Sequence, residues 1–384
     1  MTPAPDTTNS RSPLRSIKPK IIGAPGRYVQ GVGALDLLGQ QLKAYGDKPL
    51  IVCDNVVWPL LGDRVTASLA EAGLVTIRAP FGGECSRSEI ERLSALFHSS
   101  NCNAVVGLGG GKTLDTAKAI SLDRSVPIVI VPTIASNDAP TSRVIVIYSE
   151  EGALVEVRTM PFNPHLVLVD TQVIASAPAR FLVAGMGDAL PTKFEAEQSQ
   201  ASGALNMFQG RQTRAGMVLA DACYRLVREY GLLARQAVEM KLVTEAVELV
   251  VEACVYHSGL GFESGGLAAA HALTRGFSVT SEMKGSLHGE EVAFGLLVQF
   301  VIENRSRDFL LDLLSFYRSI GLPCTLADLG LKNATDKHFR IIAEKTLAEG
   351  SHIYKMTTPV DERSLIDAIR FIDAMGQELY PESK

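Results

Sequence analysis

The sequence has no C-x-x-C pair, no Lys/Arg-rich run beyond a few basic residues near its start, and no apolar stretch reaching the roughly 18 residues of a membrane span. Each absence excludes something. Cys53, Cys85, Cys102, Cys223, Cys254 and Cys324 are scattered singly, which argues against a thiolate metal site and fits reduced thiols in the cytoplasm. With no basic face to neutralise phosphates and a net charge of −5, neither nucleic acid nor an anionic membrane is expected as a partner. The first twenty residues are polar and rich in Pro, Ser and Thr. They lack the apolar segment of a secretory signal, so 1–20 is expected to be a disordered tail.

What is present is an ordinary globular composition, 46% hydrophobic with a single tryptophan, over 384 residues, enough for two domains. The first half alternates short β-branched runs ("PLIVCDN", "VTIRAPF", "NAVVGLGGG", "PIVIVPT", "HLVLVD") with helical stretches ("GDRVTASLAEAG", "SEIERLSALFHSS"). That alternation predicts a mainly parallel sheet with crossover helices over 21–178. "RVIVIYSEEGALVEVRTM" reads as a β-hairpin turning at Glu151-Gly152. Beyond Pro178 apolar residues recur with helical spacing, which predicts an all-α domain over 179–384 and a cleft where the two domains meet.

"NAVVGLGGGKTLDTAKAI" is an apolar strand, a glycine cluster and a helix expected to start near Thr113. Gly109, Gly110 and Gly111 allow backbone N–H groups to approach an anion, the helix points its positive end there, and Lys112 adds charge. A tight strand-to-helix turn without a ligand is the alternative. Neither a P-loop, which needs Gly where Val106 stands, nor a G-x-G-x-x-G fingerprint fits. Asp54, ending "LIVCD", is placed either to bind an adenosine ribose and repel a 2′-phosphate, favouring NAD, or simply to close a turn.

His271 and His288 lie on adjacent predicted helices, and Asp188 in "AGMGDALPTKFEAE" is a lone acid among small and apolar residues. Two imidazoles and a carboxylate suit a catalytic Zn2+ or Fe2+, although histidine pairs on helices are often structural.

"GGGKTLDTAKA", "PTIASNDAPTSRVIVIY", "GMGDALPTKFEA", "GLGFESGGLAAAHAL" and "HGEEVAFG" occur in this order. Together they closely resemble the glycerol dehydrogenases of the metal-dependent, iron-containing-type alcohol dehydrogenase family, over nearly the whole chain after the tail. The resemblance implies that family's dehydroquinate synthase-like fold. It places metal ligands at Asp188, His271 and His288, and cofactor contacts at Asp54, Gly111, Lys112, Asp115, Thr133, Ser136, Ser142, Val144 and Tyr148. Asp138 falls on the substrate-contacting aspartate, beside the three ligands. The implied chemistry is NAD-dependent hydride transfer from glycerol to give dihydroxyacetone, with one divalent ion, zinc before iron, promoting ionisation of the alcohol. Another small diol or a 2-hydroxycarboxylate is the alternative substrate. A homo-oligomer is implied as well.

Two departures bear on substrate preference. Family members carry a histidine four residues after the first ligand, where this chain has Arg275, and "SEMKGSL" before His288 lacks the usual aromatic and histidine residues. Arg275 reads either as a cation in the last helical turn before Gly276 or as a fork for a substrate carboxylate. A dehydroquinate synthase-type lyase would need a cluster of basic residues for a phosphorylated substrate, and none surrounds Asp188 or His271 in sequence.

Overall fold

The computed structural model describes residues 18–150 and 152–380. Most of the expected tail therefore lies outside the described residues. Its last residues are not loose: Pro19 accepts from the Arg211 amide and Lys20 bridges to Arg211.

Among the described residues eight strands fall in two sheets: β1 (Tyr28–Gly31), β2 (Pro49–Cys53), β3 (Ile77–Pro80), β4 (Ala104–Gly109), β5 (Ile128–Pro132), β6 (Val144–Tyr148), β7 (Leu154–Thr159) and β8 (Leu166–Asp170). Six form one sheet in the order β1-β8-β5-β4-β2-β3, with every neighbouring pair parallel. β2, β4, β5 and β8 are buried along their whole length, as continuous apolar runs demand when both faces of a sheet are covered. β6 and β7 form the expected antiparallel hairpin; Glu151 of its turn lies outside the described residues.

β1 was not foreseen. It is a four-residue edge strand, "YVQG", only half-buried throughout, so it carries neither a long apolar run nor an alternation. The helix after β4 also differs from expectation. It begins at Gly111, two residues before Thr113, because Gly110 serves as its N-cap in an extended conformation.

The chain leaves β2 for β3 on one side, and later lays β4, β5 and β8 on the other. The strand order thus reverses between β2 and β4. Loops leaving the carboxyl ends there diverge and open a crevice, the usual ligand site of such sheets.

Among the described residues every element after Asp170 is helical. The expected change at Pro178 falls on the N-cap of the helix Ala179–Ala189, which carries Asp188. Its glycines explain the wording of "GMGDAL". A Cβ on Gly185 would stand 1.9 Å from the Ala135 carbonyl oxygen, and one on Gly187 2.4 Å from that of Gly289. In the helix His288–Ile302, a Cβ on Gly289 would stand 1.8 Å from the Ala184 carbonyl oxygen, and one on Gly295 2.5 Å from that of Ala270. Main chain therefore meets main chain where three helices and the loop after β5 converge. No described helix is long and apolar enough to cross a membrane.

Replacing Gly185 by Ala sets two effects against each other. Helix propensity gains about 1 kcal/mol, while overpacking against a rigid carbonyl costs about 1–3 kcal/mol or more. At 1.9 Å the clash wins. Gly185→Ala should lower the urea midpoint with little change in the denaturant slope; an unchanged midpoint would show that the loop after β5 yields freely.

Candidate metal centre and cofactor cleft

A cleft of about 1100 Å³ runs across the carboxyl ends of the parallel strands to the helices. Its walls come from successive strand ends. Asp54 follows β2, Phe81 and Gly83 follow β3, Gly110 to Thr113 follow β4, and Thr133 and Ser136 follow β5. Ser142, Val144 and Tyr148 line it from the hairpin side, and His271 and His288 from the helices.

At the glycine loop, no side chain caps the helix Gly111–Arg124, so its first N–H groups stay available for an anion. A Cβ on Gly109 would press on Thr113 at 2.7 Å, so the turn is tight as well as open. Lys112 is engaged rather than free: its ammonium pairs with Glu84 at 2.6 Å and lies over the Tyr148 ring at 5.3 Å. Asp115 sits at the edge of the cleft, but both its oxygens are occupied. One accepts from Lys118 and the other from the Val146 N–H. Burial raises the Asp115 carboxyl and the Lys118 charge opposes that. Lys118 is fully buried and also donates to the Ala139 and Val144 carbonyls. This pair fixes the backbone that carries Ser142, Val144 and Tyr148. Lys118 was missed in the sequence, although a lysine three residues after Asp115 in a helix of small residues was a legible signal.

Asp54 closes a turn and also faces the cleft. Its Oδ1 accepts from the Val56 and Val57 N–H groups and so closes the turn into the helix Trp58–Glu71. Oδ2 takes no hydrogen bond among the described residues, and the residue lines the cleft.

The three candidate ligands converge. One donor atom from each of Asp188, His271 and His288 lies within 4.8 Å of the others. Asp188 Oδ1 stands 3.3 Å from His271 Nε2 and 3.5 Å from His288 Nε2. Asp188 is 1% exposed, its Oδ2 accepts the Asp138 N–H, and its Oδ1 is buried without a hydrogen-bond partner. A carboxylate oxygen left so would cost several kcal/mol unless a cation compensates it. The residues thus fit one divalent ion.

The electrostatics agree. Burial alone would raise Asp188, but His288 and then His271 pull it below the usual carboxylate range. Burial would lower His271, yet the Glu195 and Asp188 carboxylates hold it well above the usual imidazole range. His288, with 47% of its side chain exposed, is lowered by desolvation.

Glu195 is a functional residue that the sequence reading missed. It is fully buried on the helix Thr192–Ala201; its Oε2 lies 2.5 Å from His271 Nδ1, and its Oε1 accepts the Ala268 and His271 N–H groups. With Nδ1–H donated to Glu195, Nε2 toward Asp188 is the position that would give up its proton to a cation. Asp138 is also buried, and its Oδ2 accepts from Ser258. Burial, then the Asp188 charge, raises its carboxyl well above the usual range. The loop carrying Asp138 is fastened by Thr141, which donates to the Val255 carbonyl inside a π-helical turn, Ala253–His257.

Glu195→Gln should put an amide N–H against His271 Nδ1 and disturb the tautomer. Divalent-metal affinity, read by competition with a chromogenic chelator, should fall about 10–100-fold. Affinity equal to wild type would leave Glu195 with a packing role only.

Comparison with known proteins follows the same lines. Residues 25–171 match the family model described as iron-containing alcohol dehydrogenase. The chain is 44% identical over 363 residues to the glycerol dehydrogenase of Escherichia coli O6:H1, covering 94% of this chain and 99% of that one. It is 45% identical to the glycerol dehydrogenase of Thermotoga maritima, over 92% of this chain and 96% of the relative. The solved glycerol dehydrogenase of Schizosaccharomyces pombe superposes with a TM-score of 0.90 at 36% identity, over 96% of this chain and 94% of its own. At this identity and coverage the chain belongs to the iron-containing alcohol dehydrogenase family.

Proposed function

We propose that this protein is an NAD- and metal-dependent polyol dehydrogenase that interconverts glycerol and dihydroxyacetone. The observation that carries the reading is the unpartnered Asp188 Oδ1 facing two imidazole nitrogens in a cleft that also contains an uncapped, glycine-lined helix start. Asp188, His271 and His288 would hold the metal; the donor set suits Zn2+, with Fe2+ the alternative. Gly111 and the helix start after it would take the dinucleotide's phosphates, and Asp54 Oδ2 its ribose. Thr133, Ser136, Ser142, Val144 and Tyr148 would line its path, with Asp115 holding the last of these in place through Lys118 and Val146.

When bound, the cation supplies Lewis acidity at the alcohol oxygen and NAD accepts the hydride. The chain's own residues do the rest. Asp138 leaves Oδ1 for a second hydroxyl of the polyol, since Oδ2 is held by Ser258. Phe262, Leu267 and Leu287 form an apolar wall beside the ligands, where a lowered dielectric strengthens every charge interaction. No side chain is required as general base; the hydroxyl proton leaves to solvent past the half-exposed His288. The same reading makes the protein a cytoplasmic homo-oligomer, supported by six free cysteines and by Leu154, Val155 and Val157 exposed on β7.

The test is NADH formation from glycerol. Chelation should abolish it and Zn2+ or Fe2+ restore it, and His271→Ala should lose activity by orders of magnitude while keeping the fold. Full activity in a protein that elemental analysis finds metal-free would end this reading.

Cofactor choice gives a second measurement. Asp54→Ser removes the charge that would repel a 2′-phosphate, so kcat/KM with NADP should rise about tenfold or more relative to NAD. Equal use of both cofactors by the wild type would count against the role given to Asp54.

A further inference from the structure

Arg275, the sequence's candidate for setting substrate preference, does not line the cleft; it lies in the last turn of the helix Ala269–Phe277. Discrimination among alcohols therefore falls to polar groups that do line it beside the three ligands. Asp138 is such a group: its N–H bonds Asp188 Oδ2, and its own carboxylate stands outside the candidate metal cluster. Oδ1 of Asp138 takes no hydrogen bond among the described residues, while Ser258 holds Oδ2 at 2.8 Å.

Ser258 is held in its turn. Its Oγ lies 3.0 Å from Oγ1 of Thr192, and both side chains are fully buried. The Thr192 hydroxyl has no other acceptor among the described residues, so its proton goes to Ser258 and the Ser258 proton goes to Asp138. The Cys223 thiol also lies beside Ser258, but it is directed at the Ala189 and Ala253 carbonyls. Two hydroxyls thus form a one-way relay that ends on a single carboxylate oxygen.

Close packing fixes the spacing of the three residues. In the helix Ser258–Gly265, a Cβ on Gly259 would stand 1.9 Å from Thr141 Oγ1 and 3.0 Å from the Asp138 carbonyl oxygen. One on Gly261 would stand 2.6 Å from Thr192 Cγ2. Glycine at both positions lets this helix approach the Asp138 loop on one side and the Thr192 helix on the other. Thr192 opens the same helix that carries Glu195. One short helix therefore orients the His271 imidazole through Glu195 and the Asp138 carboxylate through Ser258.

We propose that Ser258 and Thr192 are positioning residues that set a preference for diols over mono-alcohols, by aiming Asp138 Oδ1 at the substrate's second hydroxyl. The proposal rests on the dehydrogenase reading above and assigns its polyol specificity to this relay. A carboxyl group turns as a rigid plane about a soft torsion, so pinning Oδ2 fixes where Oδ1 points. An aimed acceptor bonds a hydroxyl that is present and is left unpaired by an alcohol that lacks it. Without the relay the plane turns freely, and the difference between the two alcohols shrinks.

The experiment compares kcat/KM for propane-1,2-diol and propan-2-ol, which differ by one hydroxyl, with glycerol alongside. NADH absorbance is followed in metal-loaded wild type, Ser258→Ala, Thr192→Val and Thr192→Ser, and thermal melts check that each is folded. The wild type should favour the diol. That ratio should fall about tenfold in Ser258→Ala, as loss of a charge-assisted hydrogen bond predicts, and less in Thr192→Val. Thr192→Ser keeps the hydroxyl and should keep the ratio. In an Asp138→Ala background, Ser258→Ala should change the ratio no further. Should Ser258→Ala fail to fold, Thr192→Val carries the same comparison from the other end of the relay. Equal losses on both alcohols, or a Ser258 effect that survives without Asp138, would leave the hydroxyls a packing role and overturn the proposal while the dehydrogenase reading stands. A wild type that oxidises the diol and the mono-alcohol equally well overturns it too. No oxidation of any of the three alcohols overturns both readings together.

Discussion

Asp188 is a charge placed where charge is expensive. Its carboxylate is buried, one oxygen is satisfied by a backbone N–H, and the other faces two imidazoles with no hydrogen bond. Much of the surrounding structure is arranged to make that tolerable. Glu195 holds His271 so that Nε2 faces Asp188, the Asp138 amide steadies Oδ2, and three helices bring their backbones together to place the groups. A cation at this point would compensate that burial.

The cofactor end obeys a different constraint, set by topology. Reversal of strand order between β2 and β4 opens the sheet at the ends that carry Asp54 and the glycine loop. Buried ion pairing then extends the cradle: Asp115 and Lys118 reach across from the helix Gly111–Arg124 to the 139–146 backbone, so one wall of the cleft is tied to the other. The Asp188–His271–His288 cluster and the glycine loop share one cleft because the loop after β5 touches both, the Thr133 N–H bonding the Gly109 carbonyl and the Asp138 N–H bonding Asp188 Oδ2.

The readable parts of the sequence were those with a period or a motif. Four of the six strands of the parallel sheet are buried apolar runs, β3 lies within the β-branched stretch "VTIRAPF", and the glycine loop is a local string, so all of these could be read directly. That Asp188, His271 and His288 converge was legible only through resemblance, since they have no common spacing. Glu195 was not, because "TKFEAEQSQ" has the charge content of a surface helix and only the fold shows that this one carboxylate points inward. That the turn His352–Lys355 packs against the His271 helix was invisible for a related reason, since the two are far apart along the chain and meet only through the fold.

The glycine contacts of the Asp188 and His288 helices carry a consequence for how this scaffold changes over time. Because backbone rests on backbone at Gly187 and Gly289 between these two helices, at Gly185 against the loop after β5 and at Gly295 against the His271 helix, the spacing of these elements is set by main chain rather than by the candidate ligand side chains. Ligands and their neighbours are thereby decoupled from packing. The reactive inventory can therefore drift while the architecture stands still, provided that the four glycines do not.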